Sequence, residues 1–443
     1  MSLRRGIYHT FLVQAPNLLL FFAASTLMTR MLGDTGRGEY TLFISQVALL
    51  AMLFGLNIGA GLTFYTARTG PEAETAAGTA TTLFALNTVL IPLVLLFASL
   101  SPGLTGLIMP PHRTHWLYWG FIYFNVMMGL VNAYASALLL GMKKFGVLNG
   151  MGLFNAALSA TGFLALFLFH DRIRPERVLP AVLLIVSGIA LTQSILWAVM
   201  CILYVRLRPR MVWSWSAMRP VLIFSFVGHL SNLVNLINYR FDVWVVEEHR
   251  GAAQLGLYAA AVGLAQLLFY IPEPFARVVQ PFLFGQEKNE MLPRFKALAR
   301  LNFTAVLCCA LLMGALAHVI LPLLFGETFS PGADALRLLM PGILFSSTFK
   351  LLVQLVIQRG LQHFNLLASS AGAVFTIILD LVLIPVHGIE GAAIASTISY
   401  LVVLIVVLLV IRFRLRIPVH DLFLLRASDI KSLRTSVPWK PDR

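Results

Sequence analysis

Charged residues are scarce in this sequence, and cysteines are scarcer still. Of the 443 residues, 12% are charged and 58% are hydrophobic, whereas a soluble domain carries about 25% charged residues. This polar surface is too small to cover a water-soluble globule, which excludes a soluble enzyme or binding module. The three cysteines have neither the spacing of metal ligands nor that of a disulfide framework. We expect Cys308 and Cys309, which lie in an apolar stretch, to be small core residues.

Long apolar runs fill most of the chain, separated by short breaks that contain glycine and proline. A helix needs about 20 residues to cross a bilayer, and twelve runs are long enough. The predicted spans are residues 8–30, 40–67, 79–100, 115–141, 145–170, 179–206, 217–246, 254–285, 297–324, 333–359, 363–385 and 389–414. The first run is too long for the apolar core of a signal peptide and has no A-x-A-like cleavage site. The sequence therefore predicts an all-α polytopic membrane protein whose first span is retained.

Acidic residues are also few: the sequence contains 19 Asp and Glu but 33 Lys and Arg, which gives a formal net charge of +14. When the N-terminus is placed in the cytoplasm, most basic residues fall in cytoplasmic segments, as the positive-inside rule expects. The basic charge is therefore topological and argues against nucleic acid as a partner. The sequence predicts a multi-pass protein of the cytoplasmic membrane with both termini in the cytoplasm. Its basic tail, residues 416–443, is either solvated or in contact with anionic lipid headgroups.

An internal repeat relates the two halves of the chain. Three matches recur at a nearly constant offset, close to half the chain length: Gly38-Glu39-Tyr40 with Gly256-Leu257-Tyr258, "GMKKF" from Gly141 with "GLQHF" from Gly360, and Gln14 and Asn17 with Asn232 and Asn235. Six spans lie in each half, so both halves have the same orientation and form a parallel pseudo-twofold repeat. We predict two six-helix lobes, residues 1–210 and 211–415. Such lobes are typical of a transporter with a central cavity that opens alternately to each side.

The stretch "RMLGDTGRGEY", residues 30–40, interrupts the first two apolar runs with three glycines. Glycine permits positive φ and close backbone approach, so we predict a tight outer turn between two spans. Arg30 and Asp34 lie four residues apart and share a helix face if the helix continues.

The same stretch resembles a known family. Its pattern R-x-L-G-x-x-G-x-G-x-Y is similar to the turn between the first two helices of the polysaccharide flippases, members of the multidrug/oligosaccharidyl-lipid/polysaccharide (MOP) exporter superfamily. "FGLNIGAGLTFYTA" resembles the second helix of that family, and "NYRFDVWVV" with "LGLYAAAVGLAQ" resembles its seventh and eighth helices. "LIPVHGIEGAAIASTISY" is similar to its eleventh-to-twelfth connection. The resemblance covers most of the chain.

The resemblance implies a V-shaped, MATE-like fold and a function. The family flips lipid-linked oligosaccharide, usually on undecaprenyl pyrophosphate, to the outer leaflet for surface polysaccharide biosynthesis. It is not an enzyme and needs no cofactor, but coupling to H⁺ or Na⁺ is usual. The implied partners are the lipid-linked substrate, the lipid bilayer and a polysaccharide polymerase or ligase machinery.

Basic residues inside spans are costly and are therefore functional candidates for a cavity that binds a pyrophosphate. Four stand out: His229, Arg240, Arg277 and Lys350. The Arg240 guanidinium could bind a phosphate through two N–H groups, or the side chain could extend to the lipid headgroups of the outer leaflet. Asp242 is only two residues on, so the two side chains point to different helix faces.

Lys350 lies well inside its span and shares one helix face with Ser346 and Gln354. A polar stripe on a span faces protein or water rather than lipid, so Lys350 is the strongest cationic candidate. Glu273 and Arg277 are four residues apart between prolines. They form either a self-neutralised pair at a kink or a gating element.

Amide side chains supply a second group of candidates for substrate binding. Asn232 and Asn235 follow His229 in one span, and Gln14 and Asn17 match them in the other half. Ser231, Asn235, Asn238 and Asp242 form one polar seam at helical spacing. The seam is either a cavity wall for hydroxyl-rich cargo or an interhelical contact. His229 could titrate near neutral pH or be a hydrogen-bonded core residue.

Three membrane-embedded acids, Asp242, Glu273 and Asp380, are the candidates for ion coupling or gating. Asp380 lies near the outer end of its span, where capping or interfacial exposure is expected. The first span has no acid, whereas drug-extruding relatives often carry one there, which disfavours a multidrug antiporter of the same fold. A lipid II flippase typically has fourteen helices rather than twelve. A membrane-embedded glycan polymerase is disfavoured because the sequence has no D-x-D, no H-E-x-x-H and no long loop.

Overall fold

A computed structural model describes residues 3–67, 71–110, 113, 115–205, 210–273, 288–426 and 429, and every regular element within them is helical. The α-helices are α1 Leu3–Gly55, α2 Ile58–Thr66, α3 Pro71–Leu100, α4 Pro102–Ile108, α5 Trp116–Gly141, α6 Phe145–Leu168, α7 Pro175–Tyr204, α8 Trp215–Gln266, α9 Lys288–Ala315, α10 Ala317–Phe325, α11 Ala333–Gln358 and α12 Gln362–Phe413. Short 3₁₀ helices follow at His170–Arg172, Leu267–Tyr270, Glu327–Gly332 and Val419–Leu422.

Helix length gives the number of membrane crossings. Within the described residues, nine helical segments are long and apolar enough to cross a bilayer. Three of them contain 42, 56 and 52 residues, and each is bent at one glycine into two arms. Because one crossing takes about 20 residues, each bent helix accounts for two crossings. The all-α prediction with about twelve transmembrane helices is confirmed.

The glycine-rich stretch at residues 30–40 is a bend rather than a loop. α1 runs through it, and only Gly33 leaves helical geometry, with φ 63° and ψ −172°. The Asp34 carboxylate accepts a hydrogen bond of 2.6 Å from the Thr35 N–H and so satisfies a donor of the restarted helix. The predicted tight turn is therefore a single residue, Gly33, and the predicted span limits at residues 30 and 40 leave out helical residues on both sides of it.

The repeat seen in the sequence extends to the backbone. Gly251, which follows Gly33 at the offset of the repeat, bends α8 with nearly the same torsions, φ 76° and ψ 175°. Helices α5 and α11 each contain 26 residues, and the start of α11 follows the start of α5 at almost the offset of the sequence repeat. The matching bends and lengths indicate that both halves use the same local chain geometry.

One helix break interrupts an apolar stretch of the chain. Between α1 and α2, Leu56 and Asn57 have positive φ values of 46° and 52°, which are uncommon for residues other than glycine. Such a break frees backbone carbonyls that lipid cannot satisfy. The Asn87 amide of α3 donates to the carbonyl of Phe54 at 3.0 Å and compensates in part for the break.

Contacts divide the chain into two compact units. The N-unit is Asn17–Leu236, and the C-unit is Met1–Pro16 together with Ile237–Arg443. The N-unit buries a core around Phe43, Ile58 and Ile122. The C-unit buries one around Phe295 and Leu352. These limits fall inside helices, whereas the sequence prediction places the lobe boundary at residue 210, and that boundary stays a prediction.

Large apolar side chains are exposed on many helices. Leu184, Ile202 and Phe413 are between 72% and 80% exposed, which a water-soluble surface would not tolerate in such number. This surface suits contact with lipid and agrees with a membrane-spanning chain. Cys308 and Cys309 are exposed as well, so their expected core position is wrong. A small apolar thiol is as compatible with lipid as with a protein core.

The start of the tail is folded against α9. Ile417 and Leu422 are buried in the C-unit core. Asp421 accepts from Lys296 Nζ at 2.8 Å and from Arg426 Nη2 at 2.7 Å. We call residues 417–426 and 429, with their partners on α9, the tail clasp. A solvated tail is therefore wrong for these residues, because ion pairs and apolar contacts fix them against α9 and the C-unit core.

Hydrogen bonds to cations set the acidity of the clasp. The ammonium group of Lys296, followed by the Arg426 guanidinium, lowers the pKa of Asp421 to about 2. Arg300 binds Asp429 through both its Nε, at 2.7 Å, and its Nη2, and this bidentate contact lowers the pKa of Asp429. Both carboxylates are therefore ionised at neutral pH.

Candidate functional site

Two aspartates of the C-unit lie close together inside the spans. Asp242 on α8 and Asp380 on the first arm of α12 are only 8% and 0% exposed. Thr376, one turn before Asp380, lies 3.5 Å from the side-chain oxygen of Asn238, one turn before Asp242, so the two aspartates follow a direct contact of α12 with α8. We call them the acid pair. Because like charges repel strongly in a low-dielectric interior, the acid pair requires a proton or a bound cation.

The two acids differ in their hydrogen bonds. Asp242 accepts from Tyr258 Oη at 2.6 Å and from the Val243 N–H at 2.8 Å. Among the described residues, neither carboxylate oxygen of Asp380 has a partner. A buried carboxylate without hydrogen bonds is strongly disfavoured. Asp380 is therefore the side of the acid pair that is open to a ligand.

The exposure expected for Asp380 is wrong. α12 continues past it as far as the bend at Gly388, so Asp380 lies two turns inside the helix rather than at its end. The helix therefore carries the carboxylate into the packed interior of the C-unit.

Small and polar residues of α8 and α12 flank the acid pair. Asn238, one turn before Asp242, donates to the carbonyl of Ser369 at 2.9 Å. Thr376, one turn before Asp380, lies 3.5 Å from the Asn238 side-chain oxygen. Ser396 Oγ lies 3.4 Å from Tyr258 Oη. The Asn238–Asp242 part of the predicted seam is thus buried in helix contacts, and its oxygens resemble the ligands that hard cations prefer.

Lys350 occupies a different position in the same unit. Its Nζ lies 3.4 Å from the centre of the Phe269 ring and 6.0 Å from that of Tyr239, and the negative charge of Glu273 acts on it. Aromatic faces attract an ammonium group but give it few hydrogen bonds. Lys350 is therefore a half-buried cation that an anionic ligand could bind more strongly than its present neighbours do.

The other charged candidates of this unit are only partly described. Arg240 is half-buried, and its charge acts on Asp242, although the two residues form no direct ion pair among the described residues. Arg277 lies outside the described residues, so the predicted Glu273–Arg277 pair is not tested. Lys350, Asp242, Asp380, Glu273 and Arg240 all belong to the C-unit.

The remaining candidates divide between the units. His229, Asn17, Asn232 and Asn235 belong to the N-unit, and Gln14 belongs to the C-unit. His229 is 6% exposed, and its Nδ1 has no partner among the described residues. Asn232 and Asn235 are exposed, as a water-filled path or a binding surface would require. Their role in substrate binding stays a prediction.

The sequence did not reveal the aromatic residues that contact Asp242 and Lys350. Tyr258 holds Asp242, and Phe269 and Tyr239 hold Lys350. Tyr258 belongs to the repeated Gly256-Leu257-Tyr258 motif. The recurrence of this tyrosine in the repeat is the feature of the sequence that could have marked it as a site residue. Phe269 and Tyr239 give no such signal, because an aromatic residue in a span looks the same whether it meets lipid or a lysine.

The fold matches solved structures of membrane transporters. The lipid II flippase MurJ, in an inward closed conformation, superposes with a TM-score of 0.74 at 13% identity, over 93% of this chain and 88% of that one. An inward-facing multidrug resistance MATE transporter of the MOP superfamily gives 0.68 at 16% identity, over 90% and 94%. The chain has the MOP fold. A MOP transporter from Pyrococcus furiosus, whose binding pocket has reversed polarity, gives 0.59 at 14% identity, over 94% and 96%.

A sequence match agrees with the MOP fold. The family model described as polysaccharide biosynthesis protein matches residues 183–334. No curated protein matches the chain by sequence. The fold and this match together confirm the resemblance to the polysaccharide flippases of the MOP superfamily.

Proposed function

We propose that this MOP-fold protein is a flippase that moves lipid-linked oligosaccharide units, carried on undecaprenyl pyrophosphate, across the cytoplasmic membrane for surface polysaccharide biosynthesis. The observation that carries the proposal is Lys350, a half-buried cation within a span whose near neighbours are two aromatic rings. A cation inside the membrane is costly and is a functional site by default. The polysaccharide biosynthesis match over residues 183–334 supports the cargo class.

In this proposal Lys350 binds the pyrophosphate. A phosphate oxygen replaces the Phe269 ring as the partner of the ammonium group, which exchanges a cation–π contact for a charge-assisted hydrogen bond. Arg240, another half-buried cation of the same unit, adds attraction for the doubly charged headgroup.

The acid pair supplies the coupling. We assign H⁺ or Na⁺, as a co-transported ion, to Asp242 and Asp380, because Asp380 lacks any partner among the described residues. Occupancy by the ion relieves the repulsion between the carboxylates, so the ion gradient can drive exchange between two transport states. Both termini lie in the cytoplasm in this scheme, and a polysaccharide polymerase or ligase uses the flipped units.

A second candidate function is an ion-coupled antiporter for small cationic molecules. The acid pair favours it, because a buried carboxylate also attracts organic cations. The two functions differ in the part played by Lys350, which an anionic lipid requires and a cationic drug does not.

The test is complementation of a strain that lacks this gene. We expect the strain to accumulate complete undecaprenyl-linked oligosaccharides on the cytoplasmic side and to lose surface polysaccharide. Lys350→Met should fail to restore either, because it removes the cation and keeps the length of the side chain. Lys144→Met is the matched control, since Lys144 also lies over an aromatic ring, 5.2 Å from the centre of Tyr204, but outside the long helices.

Full complementation by Lys350→Met, at equal membrane abundance, contradicts the flippase proposal. Normal lipid-linked pools in the strain without the gene, together with altered drug or ion flux, would support the antiporter instead.

A further inference from the structure

Two tyrosines of the C-unit pack against each other near Lys350. Tyr239 lies on α8, three residues before Asp242, and Tyr400 lies on the second arm of α12. Their ring centres are 5.9 Å apart, and the ring planes make an angle of 46°. This spacing is that of packed aromatic rings, so the two side chains form one continuous contact between α8 and α12. We call Tyr239 and Tyr400 the tyrosine bridge.

One end of the tyrosine bridge contacts the lysine. The Tyr239 ring centre lies 6.0 Å from Lys350 Nζ. The Tyr239 hydroxyl lies near Ser346, which is one helical turn before Lys350 on the same face of α11. Tyr239 therefore packs beside the ammonium group of Lys350 and beside the helical turn that precedes it.

The other end of the tyrosine bridge is connected to the acid pair through side-chain contacts. Tyr258 donates a hydrogen bond to Asp242, and its Oη lies 3.4 Å from Ser396 Oγ. Tyr400 follows Ser396 by one helical turn on α12. A change of charge at the acid pair therefore acts on Tyr400 through the packing of α12 on α8.

Aromatic rings suit this role because they are rigid. A tyrosine has two side-chain torsions, so a displacement of its ring passes to whatever packs on it rather than being absorbed by the side chain. A cation–π contact also depends on the position of the ammonium group over the ring. A small movement of Tyr239 thus changes how firmly Lys350 is held, and with it how readily Lys350 meets a ligand.

We propose that the tyrosine bridge transmits ion occupancy at the acid pair to Lys350, so that the coupling ion changes the affinity of Lys350 for a pyrophosphate headgroup. The inference rests on the proposed function. Tyr239 and Tyr400 are positioning residues, since neither needs to touch the substrate or the ion. By linkage, the pyrophosphate changes the affinity for the ion by the same factor.

The experiment measures the binding of farnesyl pyrophosphate, a short prenyl pyrophosphate, to the purified full-length protein. The affinity is measured with sodium or with choline as the cation, each at pH 6 and at pH 8, and the coupling factor is the largest ratio of these affinities. We expect a coupling factor of about 5 or more for the unsubstituted protein, within the range of ordinary allosteric coupling. Tyr239→Leu and Tyr400→Leu should reduce it to less than about 2.

Conservative and matched variants separate coupling from folding. Tyr400→Phe keeps the ring and should keep most of the coupling factor. Tyr204→Leu removes a tyrosine of the N-unit that lies at the end of α7 and should leave the coupling factor unchanged. Asp380→Asn should abolish coupling by itself, and adding Tyr400→Leu to it should have no further effect, because non-additivity is the signature of a shared path.

The outcomes distinguish this inference from the proposed function. Failure of the unsubstituted protein to bind farnesyl pyrophosphate, or binding that survives Lys350→Met, overturns the proposed function and the inference with it. Binding that requires Lys350 but ignores both ions overturns the inference alone. So does an unchanged coupling factor in the leucine variants, or a Tyr400→Phe variant that loses coupling as completely as Tyr400→Leu.

Discussion

At the scale of single residues, charge inside a span was the informative signal. Lys350, Asp242 and Asp380 could be named from the sequence because an ionisable group in the bilayer needs a reason to be there. The partners of these residues could not be named. Tyr258 and Phe269 contact a carboxylate and an ammonium group, but in the sequence they look like any aromatic residue of an apolar span.

Asp380 also provides a test of ion binding that does not require transport. A ligand that binds only the folded state raises stability, by about 2.7 kcal/mol at a hundredfold excess over its Kd. We expect the melting temperature of the purified protein to respond to sodium or proton activity, and that of Asp380→Asn to respond to neither. The measurement is thermal unfolding in detergent across both gradients.

Asp171→Asn is the control for that measurement, because Asp171 is a fully exposed aspartate. It should respond to both ions as the unsubstituted protein does. An Asp380→Asn variant with an unchanged ion response would exclude the acid pair as the binding site.

At the scale of helices, glycine decided where the chain bends. The sequence predicted a tight turn within residues 30–40, and in the structure only Gly33 leaves helical geometry. The difference arises because the ends of both arms stay helical up to the glycine, so no loop is needed to satisfy their backbone groups. Gly251 repeats the geometry in the second half, which a pattern of letters alone could not reveal.

The bend at Gly251 makes a prediction about stability. A Cβ at Gly251 would meet nothing within 4 Å, so the cost of Gly251→Ala comes from the backbone alone. A non-glycine residue in this region costs about 1–3 kcal/mol, and we expect the free energy of unfolding to fall by that amount. Unfolding in mixed detergent micelles containing SDS measures it.

Gly263 is the matched control for that substitution. It lies in the helical part of α8, and a Cβ at this position would also meet nothing within 4 Å. Gly263→Ala should raise the free energy of unfolding by up to about 1 kcal/mol, because alanine is the better helix former. Equal effects of the two substitutions would show that the bend is not strained for alanine.

The tail clasp makes a prediction about pH. The pKa of Asp421 is lowered to about 2 by Lys296 and Arg426, against about 3.9 for an unperturbed aspartate. A lowered pKa means that the stabilisation is complete above about pH 4 and is lost as the pH falls toward 2. Two further groups face the clasp: Arg300 binds Asp429 and the Asp421 carbonyl, and the exposed His420 lies 3.5 Å from the Asp421 carboxylate.

Hydrogen exchange of residues 417–426, corrected for intrinsic rates, measures the clasp. Protection should persist from neutral pH to about pH 4 and disappear near pH 2. Asp421→Asn should expose the same residues at neutral pH, because Lys296 and Arg426 lose their charged partner. Protection that is unchanged in this variant would show that apolar packing of Ile417 and Leu422 holds the tail by itself.

At the scale of the whole molecule, composition determined the class of protein and periodicity determined its architecture. With 58% hydrophobic residues and only 12% charged, the chain had to be helical in a membrane, and the offset repeat indicated two similar halves. The MOP fold, with a TM-score of 0.74 to a lipid II flippase, agrees with both conclusions.

Bilayer thickness and desolvation act on each segment locally, so the order of amino acids alone predicts the number of spans, the repeat and the charged residues inside the membrane. Which of those charges meet depends on how the helices pack. Asp242 and Asp380 lie far apart in the chain, on α8 and α12, and Lys350 stands on a third helix. The packing of α8, α11 and α12 brings the two acids together and places aromatic rings beside Lys350. That packing depends on side-chain shape across helices, which no local pattern encodes.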